Sequence, residues 1–480
     1  MLYIEKYDLI SKTVSIMTKH SSNIQNTRNN LSLGGQILAC QILLNLSQNQ
    51  HMTMKKATHR QNQLINISHV PYHVLQEVRD NSSNKISKQI KLVGIRICSD
   101  LVSYLCKMKQ FSYDVNLESH RLTIVCDILS MLCKMNRNDD TFKVAKESTI
   151  SALLNLSGND AINLSSWCNV VNDEYINILF EIIRGFDSNL VELSEIALMI
   201  LINITLRCHQ ESDKHAYVKN TQINCHKFIV GLTNRGLVST LVTLCTPSET
   251  KVPMVIRYRA SSLLDILVTK CKNLNQNSNK EKYEDLIPCI AKSLSCHLSR
   301  LCNGEKIVWS SPLDALNNAR FVSNLGRILA HYPKETNKWM KDNPNVLKSY
   351  ICSIPLPYTD KYGKITRVTI CRKPAQFEEQ SPLYIALSNT SFLCNILKII
   401  ISFLQLSENH WIVSTIIECL GIERLICLLV NSSGLHTSVI KNASIILAHL
   451  INGGGPSVKE RCRELRGLEI MLQLTRDGVI

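Results

Sequence analysis

The chain lacks any CxxC pair or other short framework spacing, although it holds 19 cysteines in 480 residues. A disulfide-stapled scaffold is thereby excluded, and the cysteines, most of them inside apolar runs, read as reduced core residues of a cytosolic or nuclear protein. Cys126 with Cys133, and Cys289 with Cys296, are seven apart on a helix, about 10 Å along its axis and beyond disulfide reach. Glycine and proline are sparse, at 17 and 12, so disorder over most of the length is excluded and a helix-rich fold is expected. Aromatic residues make up only 6%, and no basic block interleaves with them, which disfavours a nucleic-acid or polyanion tract.

Other signals are missing as well. "MLYIEKYDLI" places Glu5, Lys6 and Asp8 where a secretory leader needs an unbroken apolar segment. The most apolar span, "SFLCNILKIIISFLQL", is interrupted by Lys398 and falls short of the roughly 20 residues a bilayer requires. The expectation is a protein that is not secreted and has no membrane span, in which sequons such as Asn45-Leu46-Ser47 stay unglycosylated. No G-x-S-x-G elbow or HExxH helix occurs. "NGGGPSVK", Asn452 to Lys459, lacks both the Gly before Lys and the preceding strand of a phosphate loop, and reads as a turn between helices. Cys208, His209, His215, Cys225 and His226 are ligand types without a finger or ribbon spacing, and read as a solvated loop. Cys289, Cys296, His297 and Cys302 read as helix positions. No catalytic residue, metal or cofactor is expected, and the chain is not expected to be an enzyme.

What is present is length, a diffuse charge and a repeat. A chain of 480 residues exceeds one compact core, which stops growing near about 250 to 300 residues. The net charge of +15 is scattered, with "RCRELR" at Arg461 to Arg466 as a grouping and a locally acidic stretch from Asp173 to Glu195, so it reads as a solvated surface. Apolar residues at relative positions 0, 3, 4 and 7, one face of a helix, recur along the chain. Ala39, Ile42, Leu43 and Leu46 fit, as do Ala197, Ile200, Leu201 and Ile204. Ala260, Leu263, Leu264 and Leu267 follow, then Ala443, Ile446, Leu447 and Leu450. Weaker copies start at Thr149 and Asn318, and degenerate ones at Cys98 and Leu393. A second signature, Gly followed by an apolar run, begins at Gly236, Gly421 and Gly467. There Gly would end one helix by taking left-handed angles, so the unit is helix, turn, helix.

Through "ACQILLNLS", "ALLNLS" and "ALMILINIT" the chain resembles armadillo or HEAT-type helical repeats, with starts spaced roughly 48 to 75 residues apart against the usual 40 to 47. The resemblance implies an all-α, armadillo-like right-handed α-solenoid, a superhelix of stacked helical hairpins or triplets in which neighbouring repeats bury one another. Residues 1–270 would be N-terminal repeats with a polar loop near 48–68, and 271–285 a polar linker. Residues 286–354 would be middle repeats, 355–382 a long insertion containing the extended-looking "KITRVTI", and 383–480 C-terminal repeats. After Gly467 the pattern calls for a further helix, so the last repeat reads as incomplete, with its end covered by a partner or the chain shortened from a longer form.

Six residues after each template start stands Asn45, Asn155, Asn203 or Asn324, with Ile266 and His449 as departures. In armadillo proteins the matching Asn faces the concave groove, where a carboxamide can satisfy both groups of a peptide backbone. The resemblance thus implies Asn45, Asn155, Asn203, Asn324 and His449 as groove residues for an extended peptide or another helical protein. The alternative for the same amides is a structural one, in which each bridges neighbouring loops. A nuclear-transport cargo adaptor would carry Trp four residues earlier, where Gln41, Ser151, Met199 and Arg320 stand instead. The expected role is a non-catalytic interaction scaffold in the cytoplasm, in a cytoskeletal, centrosomal, centriolar or ciliary assembly, with a nuclear setting and nucleic-acid binding as alternatives.

Overall fold

The computed structural model describes residues 33–48, 70–80, 88–107, 115–135, 140–158, 167, 173–185, 191–213, 228–229, 231–232, 236–246, 252–270, 286–302, 312–352, 354, 390–406, 410–419, 421–430 and 436–479. Among the described residues there is no strand, and no helix is long and apolar enough to cross a membrane. The long insertion at 355–382, the linker at 271–285, and His209, His215, Cys225, His226, His297 and Cys302 of the cysteine and histidine groupings fall on residues whose structure or side chains lie outside the description. Packing divides the chain into two compact units, Met1–Leu237 and Val238–Ile480, where the sequence suggested a first break after residue 270.

The first unit contains α1 (Leu33–Gln48), α2 (Val70–Asp80), α3 (Lys88–Lys107), α4 (Val115–Lys134), α5 (Asp140–Ser157), α6 (Asp173–Arg184) and α7 (Val191–Asp213). Helix α1 packs on α3, α3 on α5 and α5 on α7, while α2 packs on α4 and α4 on α6. Each of α2, α4 and α6 also lies against the helix that follows it. Two layers result. The layer formed by α1, α3, α5 and α7 carries every template copy of this unit and is called the template layer; the other is the backing layer.

The second unit repeats the scheme. It contains α8 (Leu237–Cys245), α9 (Met254–Asp265) with a π-helical extension at Ile266–Lys270, α10 (Leu286–Cys302) and α11 (Pro312–His331). Then follow α12 (Pro333–Asp342), α13 (Pro344–Cys352), α14 (Thr390–Leu404), α15 (His410–Glu418), α16 (Gly421–Val430), α17 (Thr437–Gly453), α18 (Gly455–Glu464) and α19 (Gly467–Arg476). Helices α9, α11, α14 and α17 stack in order; α10 lies against α11, α12 against α11 and α14, and α15 and α16 against α17, while α13 packs between α10 and α15. These four are the remaining template copies, so within each unit the 0-3-4-7 pattern marks one layer. Its residues are the core: Leu101, Leu201, Leu263, Leu397 and Leu447 are all buried. Each such leucine stabilises the stack by about 1.5 to 3 kcal/mol.

Helix boundaries follow local chemistry. Pro333 and Pro456 sit in the first turns of α12 and α18, where a missing N–H is harmless. His436 caps α17 by accepting from the Ser438 backbone N–H. The glycine signature has two different physical causes. Gly236 takes φ of 78° just before α8, as the left-handed reading requires. At Gly421 the cause is close approach, since a Cβ there would meet the Ile416 carbonyl oxygen at 2.8 Å. At Gly467 a Cβ would meet Cys462 Sγ at 2.6 Å and Ile426 Cδ1 at 2.8 Å, and the left-handed residue is Arg466 instead. "NGGGPSVK" is the joint between α17 and α18, and α18 begins inside it.

Cys40, Cys98, Cys106, Cys126, Cys208, Cys245, Cys427 and Cys462 are buried, as expected of core thiols, but Cys289 and Cys296 lie exposed on one face of α10. Burial pushes the Cys245 thiol up to about 12 against the opposing pull of Arg257, and burial together with the Asp127 charge pushes Cys126 higher still.

Candidate functional site

A template-layer helix has four sides. One faces its backing helix, two face the neighbouring template helices, and the fourth is open. On α11 the open side holds Leu313, Leu316, Arg320, Arg327 and His331, all exposed, which repeat at intervals of three, four or seven residues as one stripe requires. On α14 it runs through Lys398 and Gln405, and on α17 through Lys441, Ile445, Ala448 and Asn452. In the first unit Gln41 and Asn45 mark it on α1, Ser151 and Asn155 on α5, and Met199 and Asn203 on α7.

The predicted asparagines stand where this stripe meets the joint with the preceding template helix. Asn155 Nδ2 donates to Ser103 Oγ of α3 and, at 3.0 Å, to its own Ser151 carbonyl, so both amide hydrogens are engaged. Asn203 Nδ2 donates to Ser157 Oγ of α5 at 3.0 Å, beside Arg207, whose Nη1 reaches the Ser157 carbonyl. Asn324, only 6% exposed, donates to Ser261 Oγ of α9 at 3.0 Å and accepts from Arg327 Nη2 at 2.7 Å. Asn45 differs: it is exposed and accepts from Gln41 Nε2 of its own helix at 2.9 Å. His449 is half-buried on α17.

Two further members of the series escape the six-residue rule. Asn395 Nδ2 donates to the Ser323 carbonyl and hydroxyl at 3.1 and 3.2 Å, and Asn442 Nδ2 to Cys394 Sγ at 3.3 Å. Each lies one helix along and points back to its predecessor, like the others. Their offset within the template differs from that of Asn155, so a rule keyed to one offset passes over them. Searching for Asn at any position adjoining the 0-3-4-7 stripe would have found both.

The same brace exists in the backing layer of the first unit. Asp127 of α4 accepts from Arg79 Nη1 of α2 at 2.8 Å and from the Tyr175 hydroxyl of α6, tying three successive helices through one carboxylate. Next to the open stripe of α3, burial raises the Asp100 carboxyl above the ordinary carboxylate range, against the opposing pull of the Ser148 hydrogen bond and Arg96.

Charge distinguishes the open sides of the two units. In the first, Arg96 and Lys143 are accompanied by Asp100, Glu147, Glu192 and Glu195, with Lys143 lying 3.9 Å from Glu147. In the second, the carboxylates carried by α9, α11, α14 and α17 are Asp265 and Asp314. Asp265 is buried and paired with Arg327 Nε at 3.2 Å. The Tyr258 ring lies under two guanidinium groups, with Arg259 at 4.9 Å and Arg320 at 5.4 Å from its centroid. The open stripe of α11 therefore presents Arg320 stacked on the tyrosine of the preceding template helix, α9.

Among the described residues no group of His, Cys, Asp and Glu is arranged to hold a metal ion. No protein-family model and no curated protein sequence matches the chain.

Proposed function

We propose that the protein is a non-catalytic interaction scaffold, an armadillo-like solenoid whose open template-layer face receives an extended segment of a partner protein. The observation that carries this reading is the recurrence of an exposed or half-buried stripe on successive template helices, on α1, α5 and α7 and again on α11, α14 and α17. Template helices pack at roughly 8 to 10 Å, and an extended peptide advances about 3.3 Å per residue, so each helix would meet about every third residue of the guest. The amides contribute mainly by fixing the spacing between helices. Asn155 has committed both donors internally, and what it can offer a guest is acceptor capacity. An aromatic cage for lysine-rich cargo draws no support from Gln41, Ser151, Met199 and Arg320.

The test is proximity labelling by the full chain in its native cell, comparing the open-face double variant Ser151→Arg/Met199→Arg with the backing-layer double variant Met135→Arg/Glu181→Arg. All four positions are at least partly exposed, so helical content should hold in both. The open-face variant should lose partners that the backing-layer variant keeps. Identical labelling by the two variants would sink the reading.

A further inference from the structure

The second unit's open face carries a sign, and the sign selects a guest. Resting on the scaffold reading above, we infer that the open side of α9, α11, α14 and α17 binds an extended acidic segment of a protein partner. Arg320, Lys398 and Lys441 stand exposed on three consecutive template helices. Among the described residues no carboxylate pairs with any of the three, whereas three exposed arginines near the C-terminal helices are taken up locally. Arg461 pairs with Glu423 and Glu464, Arg463 with Glu460, and Arg466 with Glu469. Those three arginines are thus neutralised within the fold, and Arg320, Lys398 and Lys441 are left for something outside it.

Tyr258 supports the same conclusion from a different direction. A ring already covered by Arg259 and Arg320 has its attraction for cations satisfied, and it holds the Arg320 guanidinium over the stripe with its hydrogen-bonding edge available. The planar edge of a guanidinium matches a carboxylate in two parallel hydrogen bonds. Lys398 and Lys441 add point charges on the next two helices. With helices roughly 8 to 10 Å apart and about 3.3 Å per extended residue, carboxylates at every third guest position would meet the three cations in turn. The face also offers Leu313, Leu316 and Ile445 as exposed apolar contacts on the same helices as Arg320 and Lys441, which suits a peptide better than a phosphate chain. Exposed pairs of this kind are individually weak and salt-sensitive, so binding depends on engaging several at once.

The experiment uses the full chain and a fluorescein-labelled peptide of about twelve residues with Glu at every third position, read by anisotropy. Companion probes are the same peptide with Gln for Glu and a single-stranded oligonucleotide of equal length. The Glu peptide should bind at least about tenfold more tightly than the Gln peptide. The triple variant Arg320→Ala/Lys398→Ala/Lys441→Ala should lose at least about tenfold in affinity. A triple variant of matched charge, Lys334→Ala/Lys338→Ala/Arg476→Ala, should change it less than about twofold. Circular dichroism should show both variants folded, since every substituted side chain is exposed. Equal loss in the two variants would mean that net charge alone is sensed, and tighter capture of the oligonucleotide would make the face a phosphate track; either overturns the inference. If the acidic peptide ignores the three cations while Ser151→Arg/Met199→Arg still depletes partners, the charge assignment falls and the scaffold reading stands. If neither experiment registers the template layer, both fall.

Discussion

Leu201 and Met199 lie two residues apart on α7, and the layered packing assigns them opposite sides. Leu201 is 0% exposed, while Met199 is on the open stripe. Truncating Leu201 to Ala removes three carbons from the core, about 2 to 3 kcal/mol of transfer free energy. The residual cavity raises the expected cost to about 3 to 5 kcal/mol. Truncating Met199, half-exposed, should cost below about 1.5 kcal/mol. Trp167 is the natural reporter, because it is buried beside Cys126, Leu129, Leu153, Leu179 and Ile200, and so senses α4 to α7. With Trp309, Trp339 and Trp411 replaced by Phe, its fluorescence would follow urea unfolding of the first unit alone. Taking a slope near 3 kcal/mol per molar urea, Leu201→Ala should lower the midpoint by roughly 1 M or more and Met199→Ala by less than about 0.5 M. Similar shifts for the two would refute the assignment of a buried and an open side to α7.

Asn324→Ala would strip the Ser261 hydroxyl and Arg327 of a partner in a buried setting, and thermal melts should show a loss of about 1 to 3 kcal/mol, coupled to Ser261→Ala in a double-mutant cycle. Arg461→Ala leaves Glu423, whose side chain is 12% exposed, without its cation; because Arg461 itself is 47% exposed, solvent screening limits the expected cost to about 1 kcal/mol, measurable by denaturant titration. Asp100 has a raised carboxyl pKa in the fold, so the folded state binds the proton more tightly than the unfolded state. Its ionised form is a burden that is relieved as pH falls through the folded value. Asp100→Asn should therefore raise the melting temperature at pH 8, with the gain shrinking toward pH 4; a gain that grows on acidification would show the opposite sign. Thiol alkylation under native conditions should modify Cys289 and Cys296 first, while Cys98, Cys106 and Cys126 react only after unfolding.

The layer that forms the face was legible in the sequence because burial of a helix against three neighbours imposes a period. Even the degenerate copies at Cys98 and Leu393 fall on template helices, α3 and α14. The backing layer was harder to read. Helix α16 buries Gly421 through Leu429 all round, and α13 and α15 have only nine residues each, so little periodicity survives. The asparagines were visible as recurrent polar residues, but their partners were not. Ser103, Ser157, Ser261 and Ser323 are unremarkable in sequence and become specific only when two helices are laid side by side. Arg320 was visible only as a missing Trp, since the tyrosine beneath it belongs to another helix sixty-odd residues upstream.

The direction of the amide ties bears on how the protein is made. Asn155, Asn203, Asn324, Asn395 and Asn442 each reach back to a helix translated earlier. A ribosome adding about 5 to 20 residues per second would release each template helix to a docking site already emerged and waiting. Consolidation can therefore keep pace with synthesis, and the nascent chain need not hold its oily stripes in reserve for a partner at the far terminus.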